Sequence, residues 1–151
     1  MQKSKGFGLL ELMVVLVVAG LLATLAIPAY TDSVDRARTA RAIGDIASIG
    51  LEIEKFRLVN DSLPPVTLAE LPVAVPVDPW GRPYAYLSIA ATGAGNGAFR
   101  KDGNLNPLNT DFDLYSAGKD GDSKGPLNAK ASRDDIVRAN NGAFIGRAED
   151  Y

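Results

Sequence analysis

Apolar residues follow two different patterns in the first 58 residues of the chain. From Leu12 to Ala29, eighteen consecutive residues carry no charge. As a helix this segment would be ~27 Å long, close to the hydrocarbon thickness of a bilayer. Beyond it the pattern is amphipathic, with apolar residues at the three- and four-residue spacing of one helix face: Ile43, Ile46, Ile49, Ile53 and Phe56. We predict one helix to about Leu58, its second half packed on a globular domain.

The remainder of the chain predicts short strands separated by turns. Turn formers and two prolines at 60–65 end the helix, and Thr67 to Glu70 has the spacing of a capping box. Asp78-Pro79-Trp80-Gly81 suits a type I turn. Alternating or β-prone residues predict strands at 84–88, 111–116 and 143–145, the last after an Asn-Asn-Gly turn and a long polar stretch. The expected fold class is α+β, a small antiparallel sheet against the long helix.

Composition removes several classes of function. The 151 residues include no cysteine and no histidine. Disulfides, thiolate or histidine metal sites and the commonest general base are therefore absent. The net charge of −2 argues against nucleic acid as a partner. We expect a protein that is not an enzyme.

Glu11 is the unusual residue of the N-terminal segment, because a carboxylate in hydrocarbon costs roughly 2.5–3.5 kcal/mol even on lenient insertion scales. A secretory signal peptide cut near Ala29 is one interpretation, but the apolar run is long for one and Pro28 falls at the cleavage site. A plain membrane anchor is another, and it leaves Glu11 unexplained. Lys3 and Lys5 precede the run and predict a cytoplasmic N-terminus.

The stretch Lys5-Gly6-Phe7-Gly8-Leu9-Leu10-Glu11 resembles the class III signal of type IV pilins and type II secretion pseudopilins. The resemblance implies that prepilin peptidase cuts between Gly6 and Phe7 and that Phe7 is then N-methylated. Glu11 would be the fifth residue of the mature chain, while Gly8 replaces the threonine usual in the family. Cleavage creates a positive amine on Phe7, and a buried charge becomes tolerable when it is paired with its opposite. The resemblance implies that Glu11 makes this pair with a neighbouring subunit during assembly.

Gly20 and Pro28 are the helix-perturbing residues of the apolar segment. Proline removes a backbone hydrogen bond and predicts a kink. In filaments of the family the helix is locally unwound between such a glycine and proline. An ordinary proline kink is the alternative.

The segment 117–135, which we call the aspartate loop, is rich in the hard oxygen ligands that calcium prefers. An EF-hand is excluded, because counting from Asp120 places Lys124 at position five and Ala131 at position twelve. The segments Asp-Pro-Trp-Gly, Asp-Phe-Asp-Leu-Tyr-Ser and Asp-Asp-Ile resemble the C-terminal half of major pseudopilins of type II secretion, in which this loop holds a structural calcium. The implied ligands are the side chains of Asp120, Asp134 and Asp135, carbonyls near Ala117 and Ser132, and, less directly, Asp122. A solvated acidic loop is the alternative.

The resemblance implies a pseudopilin with four segments: a leader (1–6), a transmembrane and filament-core helix (7–29), an amphipathic helix (30–58) and a globular domain (59–151). The chain would be anchored in the bacterial inner membrane with its C-terminal domain in the periplasm, and would polymerise into a helical fibre that drives protein export. Expected partners are further copies of the chain, minor pseudopilins, prepilin peptidase and the inner-membrane assembly platform, but not nucleic acid. Alternatives are a type IV pilus subunit and a membrane-anchored periplasmic binding module that does not polymerise.

Overall fold

The computed structural model describes residues 8–92, 98–103 and 105–151. The predicted cleavage-site residues Gly6 and Phe7, and the glycine-rich segment 93–97, lie outside the described residues. By its internal contacts the chain divides into two compact units, residues 1–37 and 38–151. They are described separately below.

The first unit is helical from Leu9 onward, and helix α1 spans Leu9–Val59. Every residue from Gly8 to Ala29 is exposed in the isolated chain. The helix is long and apolar enough to cross a membrane by length and composition. It is α-helical at every residue from Gly20 to Pro28, so the isolated chain does not show the unwound form that the resemblance suggested for filaments.

In its described residues, the second unit contains the rest of α1, four strands and several short helical turns. The strands are β1 (Ala85–Ser88), β2 (Phe112–Ser116), β3 (Ile136–Ala139) and β4 (Phe144–Arg147), and a one-turn helix α2 (Ile89–Thr92) follows β1. The sheet has the order β1-β2-β3-β4 and all neighbours are antiparallel. The predicted α+β class is confirmed, as are the helix end near Leu58 and the positions of β1, β2 and β4.

The second half of α1 covers one face of this sheet, and the predicted helix face is confirmed. Four residues at four- and three-residue spacing are buried there, and Ile43 and Phe56 pack beside them. The buried cluster comprises Ala42, Ile46, Ile49, Ile53, Leu71, Tyr84, Phe112, Leu114 and Ile136. The opposite face is covered by connecting segments, through a second cluster of Leu108, Leu127, Val137, Ala139 and Ala148.

Strand β3 lies within the long polar stretch that the sequence predicts before the Asn-Asn-Gly turn, and it corrects that prediction. All four of its residues are buried, because it is an interior strand with both faces covered. Arg138 is tolerated in it because its guanidinium makes two hydrogen bonds with Asp111, Nη1 to Oδ1 at 2.9 Å and Nη2 to Oδ2 at 2.8 Å. It also lies 3.9 Å above the ring centroid of Phe112.

Two local turns form as their sequences predict. The amide of Gly81 donates to the carbonyl of Asp78 at 2.9 Å, and Gly81 has φ of +87°. At the other turn the Glu70 carboxylate accepts the amide hydrogen of Thr67 at 3.0 Å and caps a 3-10 turn, Leu68–Glu70.

Candidate functional site

Two regions hold the residues that the sequence singled out: the N-terminal end of α1 and the aspartate loop. At the first, the Glu11 side chain turns back toward the start of the helix, and its Oε2 accepts the amide hydrogen of Gly8 at 3.3 Å. This is a favourable place for an acidic group, because the first amides of a helix have no partner within it. The carboxylate is exposed in the isolated chain and is therefore accessible to a second charged group.

The helix surface that follows Glu11 is apolar and uncovered. Large side chains here keep about half or more of their area exposed, for example Leu16 at 72% and Leu25 at 76%. The hydroxyl of Thr24 donates to the carbonyl of Leu21 at 2.7 Å, which removes the cost of exposing that hydroxyl to an apolar surrounding. Such a surface requires a bilayer, other helices or both, because water is a poor solvent for it.

The Asp78 carboxylate builds the turn that carries Arg82 to the start of the aspartate loop. Its Oδ1 accepts the amide hydrogens of Trp80 and Arg82 at 3.0 and 2.8 Å. Its Oδ2 accepts the hydroxyl hydrogen of Ser116, the end of β2, at 2.6 Å. Asp78 is buried, so these three bonds replace the water that its carboxylate loses.

Two glycines allow the loop to close tightly. Gly118 has φ of +64°, and a Cβ there would collide with the backbone carbonyl of Asp134. Gly121 has φ of +79°, and a Cβ there would lie 2.5 Å from the guanidinium carbon of Arg82. The backbone conformation favours glycine at both positions. At Gly118 the space also excludes a side chain, whereas at Gly121 the Arg82 side chain would have to move.

Asp134 joins the two ends of the loop. Its Oδ2 accepts the amide hydrogens of Lys119 at 2.8 Å and of Asp120 at 3.1 Å. Asp120 in turn uses its Oδ1 to accept the amide hydrogen of Asp122 at 2.9 Å, and both Asp120 and Asp122 are exposed. These aspartates are therefore held by hydrogen bonds to backbone amides.

Asp135 is fully buried, and its carboxylate contacts a guanidinium and a hydroxyl rather than backbone amides. Its Oδ2 accepts hydrogen bonds from Arg100 Nη2 and from the hydroxyl of Ser123, both at 2.6 Å. Its Oδ1 is buried without a hydrogen-bond partner. Burial raises the pKa of the Asp135 carboxyl, while the Ser123 hydroxyl and the Arg100 guanidinium oppose that rise.

The predicted carbonyl ligands have hydrogen-bond partners within the loop. The carbonyl of Ala117 accepts the amide hydrogen of Gly121 at 3.1 Å, and that of Ser132 accepts the amide hydrogen of Asp135 at 3.2 Å. The Ser132 hydroxyl is buried and bonds both backbone groups of Lys124.

Among residues 8–92, 98–103 and 105–151, no three acidic side chains converge as a cluster that could hold a metal ion. Contacts are described for oxygens of five of the six predicted ligands, which accept hydrogen bonds from backbone amides, a hydroxyl and a guanidinium: Ala117, Asp120, Ser132, Asp134 and Asp135. Calcium here stays a prediction from the resemblance, and the described geometry does not form the ligand set that calcium requires.

Sequence reasoning missed Arg82 and Arg100, two arginines outside the loop whose guanidinium groups donate hydrogen bonds to it. Arg82 Nη1 donates to the carbonyl of Gly118 at 2.7 Å, and Arg100 Nη1 donates to that of Lys124 at 2.8 Å. Both arginines lie far from the loop in sequence, at separations of 36 and 24 residues. In a single sequence, local spacing does not show that these two arginines contact a loop so far along the chain.

Comparison with known proteins bears on both regions. A family model described as the prokaryotic N-terminal methylation motif matches residues 1–27. Type II secretion system core protein G of Pseudomonas aeruginosa is 31% identical over 147 residues, covering 84% of this chain and 92% of that protein. The chain belongs to this family, that of the major pseudopilins.

Other relatives agree with this assignment. Core protein G of Aeromonas hydrophila is 30% identical over 142 residues, 81% of this pseudopilin and 87% of the relative. Fimbrial protein Q of Moraxella bovis is 44% identical, but over 48 residues, 32% of this pseudopilin and 31% of that protein. No solved structure matches significantly. The predicted recognition and the role of a pseudopilin subunit are confirmed.

Proposed function

We propose that the chain is made as a prepilin, cut between Gly6 and Phe7, N-methylated, and polymerised into the helical fibre of a type II secretion system. Its assembly partners are then copies of itself, minor pseudopilins and the inner-membrane assembly platform, with prepilin peptidase acting before assembly. Before assembly the apolar helix lies in the inner membrane and the C-terminal domain in the periplasm. Fibre growth moves folded proteins outward, and the chain itself catalyses no reaction.

One observation carries this proposal: a long exposed apolar helix bears a single carboxylate at its N-terminal end. A plain anchor does not need the carboxylate, and a soluble domain does not need the apolar surface. A polymer uses both, since helices of neighbouring subunits cover one another and Glu11 pairs with the amine of the next mature chain. The pair fixes the register, because a helix shifted by one turn strands both charges in an apolar surrounding.

A type IV pilus subunit is the second candidate function, because part of the chain is similar to a fimbrial protein. This similarity covers a third of either chain, whereas the similarity to core protein G includes most of the globular part. The secretion pseudopilus is therefore the favoured assembly.

Glu11→Gln tests the proposal, with Glu52→Gln as the matched control. Glu52 lies on the same helix and makes a surface ion pair with Lys55 at 2.6 Å. Each variant replaces the major pseudopilin of a bacterium with a type II secretion system, and fibres, exported protein and the intact mass of the chain are measured. We expect Glu11→Gln to be cut before Phe7 but to form no fibres and export nothing, because the amide leaves the amine unpaired. Glu52→Gln should match the wild type.

Two results would contradict the proposal. One is a wild-type mass that still includes Met1, which excludes prepilin processing. The other is normal fibre formation and export by Glu11→Gln, which would show that assembly does not need the Glu11 carboxylate.

A further inference from the structure

The Arg100 guanidinium lies among three oxygens of the aspartate loop. It donates to the hydroxyl of Ser123 at 2.6 Å, to the carbonyl of Lys124 at 2.8 Å and to the carboxylate of Asp135 at 2.6 Å. Hydroxyl, carbonyl and carboxylate oxygens are also the ligands that a calcium ion collects. A positive charge is thus already present at the centre of the loop, and it belongs to the chain.

This guanidinium is buried and is held by contacts on several sides. Arg100 is 3% exposed and Asp135 is fully buried. The guanidinium carbon lies 4.3 Å above the ring centroid of Tyr115, and the backbone amide of Arg100 donates to Asp113 Oδ2 at 2.7 Å. Both ends of the residue are therefore fixed, by a strand β2 carboxylate at the backbone and by the loop at the side chain.

A calcium ion at the same place would compete with Arg100. The Asp135 oxygen that faces the loop is already occupied by the guanidinium, and two cations a few ångströms apart repel strongly where water is excluded. Asp135 Oδ1 is the one orphaned oxygen of this carboxylate, whereas calcium needs six to eight oxygen ligands. Guanidinium and calcium are therefore alternatives at Asp135, the implied calcium ligand that Arg100 contacts.

Arg82 also donates hydrogen bonds to backbone carbonyls, at the beginning of the loop. Its Nη1 and Nη2 donate to the carbonyls of Gly118 and Lys119 at 2.7 and 3.3 Å. The two arginines together hold three backbone carbonyls of a segment that has few apolar residues with which to fix itself.

We propose that Arg100 is the internal cation of the aspartate loop and orders residues 117–135 in place of the calcium ion that the family resemblance implies. Arg82 supports it at the start of the loop. The subunit then folds and assembles without a divalent metal. The consequence for assembly rests on the proposed function, whereas the order of the loop does not.

The first test is the melting temperature of the full chain in detergent micelles, measured with excess EDTA and with millimolar calcium chloride. We expect the same midpoint in both, because the loop has its own cation. A midpoint that rises with calcium and falls with EDTA would overturn the proposal and support the calcium site instead.

The second test compares Arg100→Met with the matched control Arg147→Met. Arg147 is half exposed and pairs with Glu149 at the surface, and methionine adds no cleavage site for endoproteinase Lys-C. In Arg100→Met the Asp135 carboxylate loses its countercharge, so we expect the midpoint to fall by about 10 °C or more. We also expect Lys-C to cut after Lys124 at least ~10-fold faster, because the local opening costs correspondingly less free energy. Arg147→Met should change neither quantity.

An Arg100→Met protein that melts and is cut like the wild type would overturn the proposal. If this variant yields no folded protein, the rate of Lys-C cleavage of the wild type with EDTA or calcium decides: equal rates support the arginine, and a lower rate with calcium overturns it. Both tests use protein in detergent and require no fibre. Their results can therefore be interpreted even if the proposed function is wrong.

Discussion

The two stretches of helix α1 are both rich in apolar residues, yet these residues lie in opposite surroundings. Up to residue 29 every side chain from Gly8 onward is exposed, whereas Ala42, Ile46, Ile49 and Ile53 are buried under the sheet. The difference lies in periodicity, since the first stretch is apolar on all sides and the second on one side only. An all-round apolar helix cannot be satisfied by a small domain on one face. Its partners must come from outside the chain.

The comparison separates two kinds of stability. Apolar side chains of the second stretch contribute to the folding of the subunit, and those of the first contribute to insertion and polymerisation. Substitutions in the two stretches should therefore be distinguished by what they change, the free energy of unfolding or the yield of fibres.

The largest expected effect on folding is that of Ile46→Ala. Ile46 is fully buried, so the substitution removes apolar contacts and leaves a cavity, at a cost of about 3 kcal/mol within the usual range for such changes. Ile27→Ala is the matched control on the same helix, at a position 62% exposed. In chemical unfolding in detergent, the free energy of unfolding of Ile27→Ala should lie within about 0.5 kcal/mol of the wild-type value. Equal losses for both would contradict the division between the stretches.

A smaller and pH-dependent effect is expected of Asp111→Asn. Burial of Asp111 tends to raise the pKa of its carboxyl, but the Arg138 guanidinium and the Phe112 amide outweigh this and hold it below the ordinary value of 3.8. The stabilisation is therefore fully present above that value and is lost as pH falls through the lower pKa of the folded state. We expect Asp111→Asn to lose about 2–3 kcal/mol at pH 7 and progressively less below pH ~4.

The measurement is denaturant unfolding of wild type and variant at a series of pH values, with Asp150→Asn as an exposed control. A difference that does not change between pH 7 and pH 3 would show that the charge of Asp111 is not what stabilises the fold. It would also weaken the comparison between the exposed helix and the buried domain, because the pair of Asp111 and Arg138 belongs to the buried domain.

The smallest effect is expected of Tyr84→Phe, which removes the hydrogen bond from the Tyr84 hydroxyl to Asp45 Oδ2 at 2.9 Å. This bond joins α1 to the segment before β1, and its loss should cost about 1 kcal/mol. Burial, the hydrogen bond to Asp45 and the charge of Asp45 all raise the pKa of Tyr84. Burial also raises the pKa of Tyr86, to about 12. Tyr86→Phe is therefore the matched control in spectrophotometric titration, because it removes another buried tyrosine and leaves Tyr84 in place. A normal tyrosine pKa at position 84 would contradict the buried contact.

Local patterns predicted much of the fold, because helices and many strands leave a period in the sequence and turns leave characteristic residues. The buried face of α1 and strand β2 follow from such periods, and the turn at Asp78 follows from its proline and glycine. Strand β3 could not, since a strand covered on both faces need not alternate, and Arg138 breaks its apolar run. The pairing of Arg100 with Asp135 was also beyond reach: 35 residues separate them, and nothing local distinguishes Arg100 from a surface arginine. The resemblance identified the loop, but the cation at its centre became visible only in three dimensions.

Strand β4 and the turn that follows it bear on the order in which the subunit is completed. The amide of Ala148 donates to the carbonyl of Asp135 at 2.9 Å, and that of Glu149 to the carbonyl of Arg133 at 3.2 Å. The aspartate loop thus obtains its final backbone contacts from residues made after it by the ribosome. A nascent chain halted before Phe144 lacks both these bonds and the edge strand beside β3. Residues 144–149 therefore complete the backbone hydrogen bonding of the aspartate loop as well as the edge of the sheet.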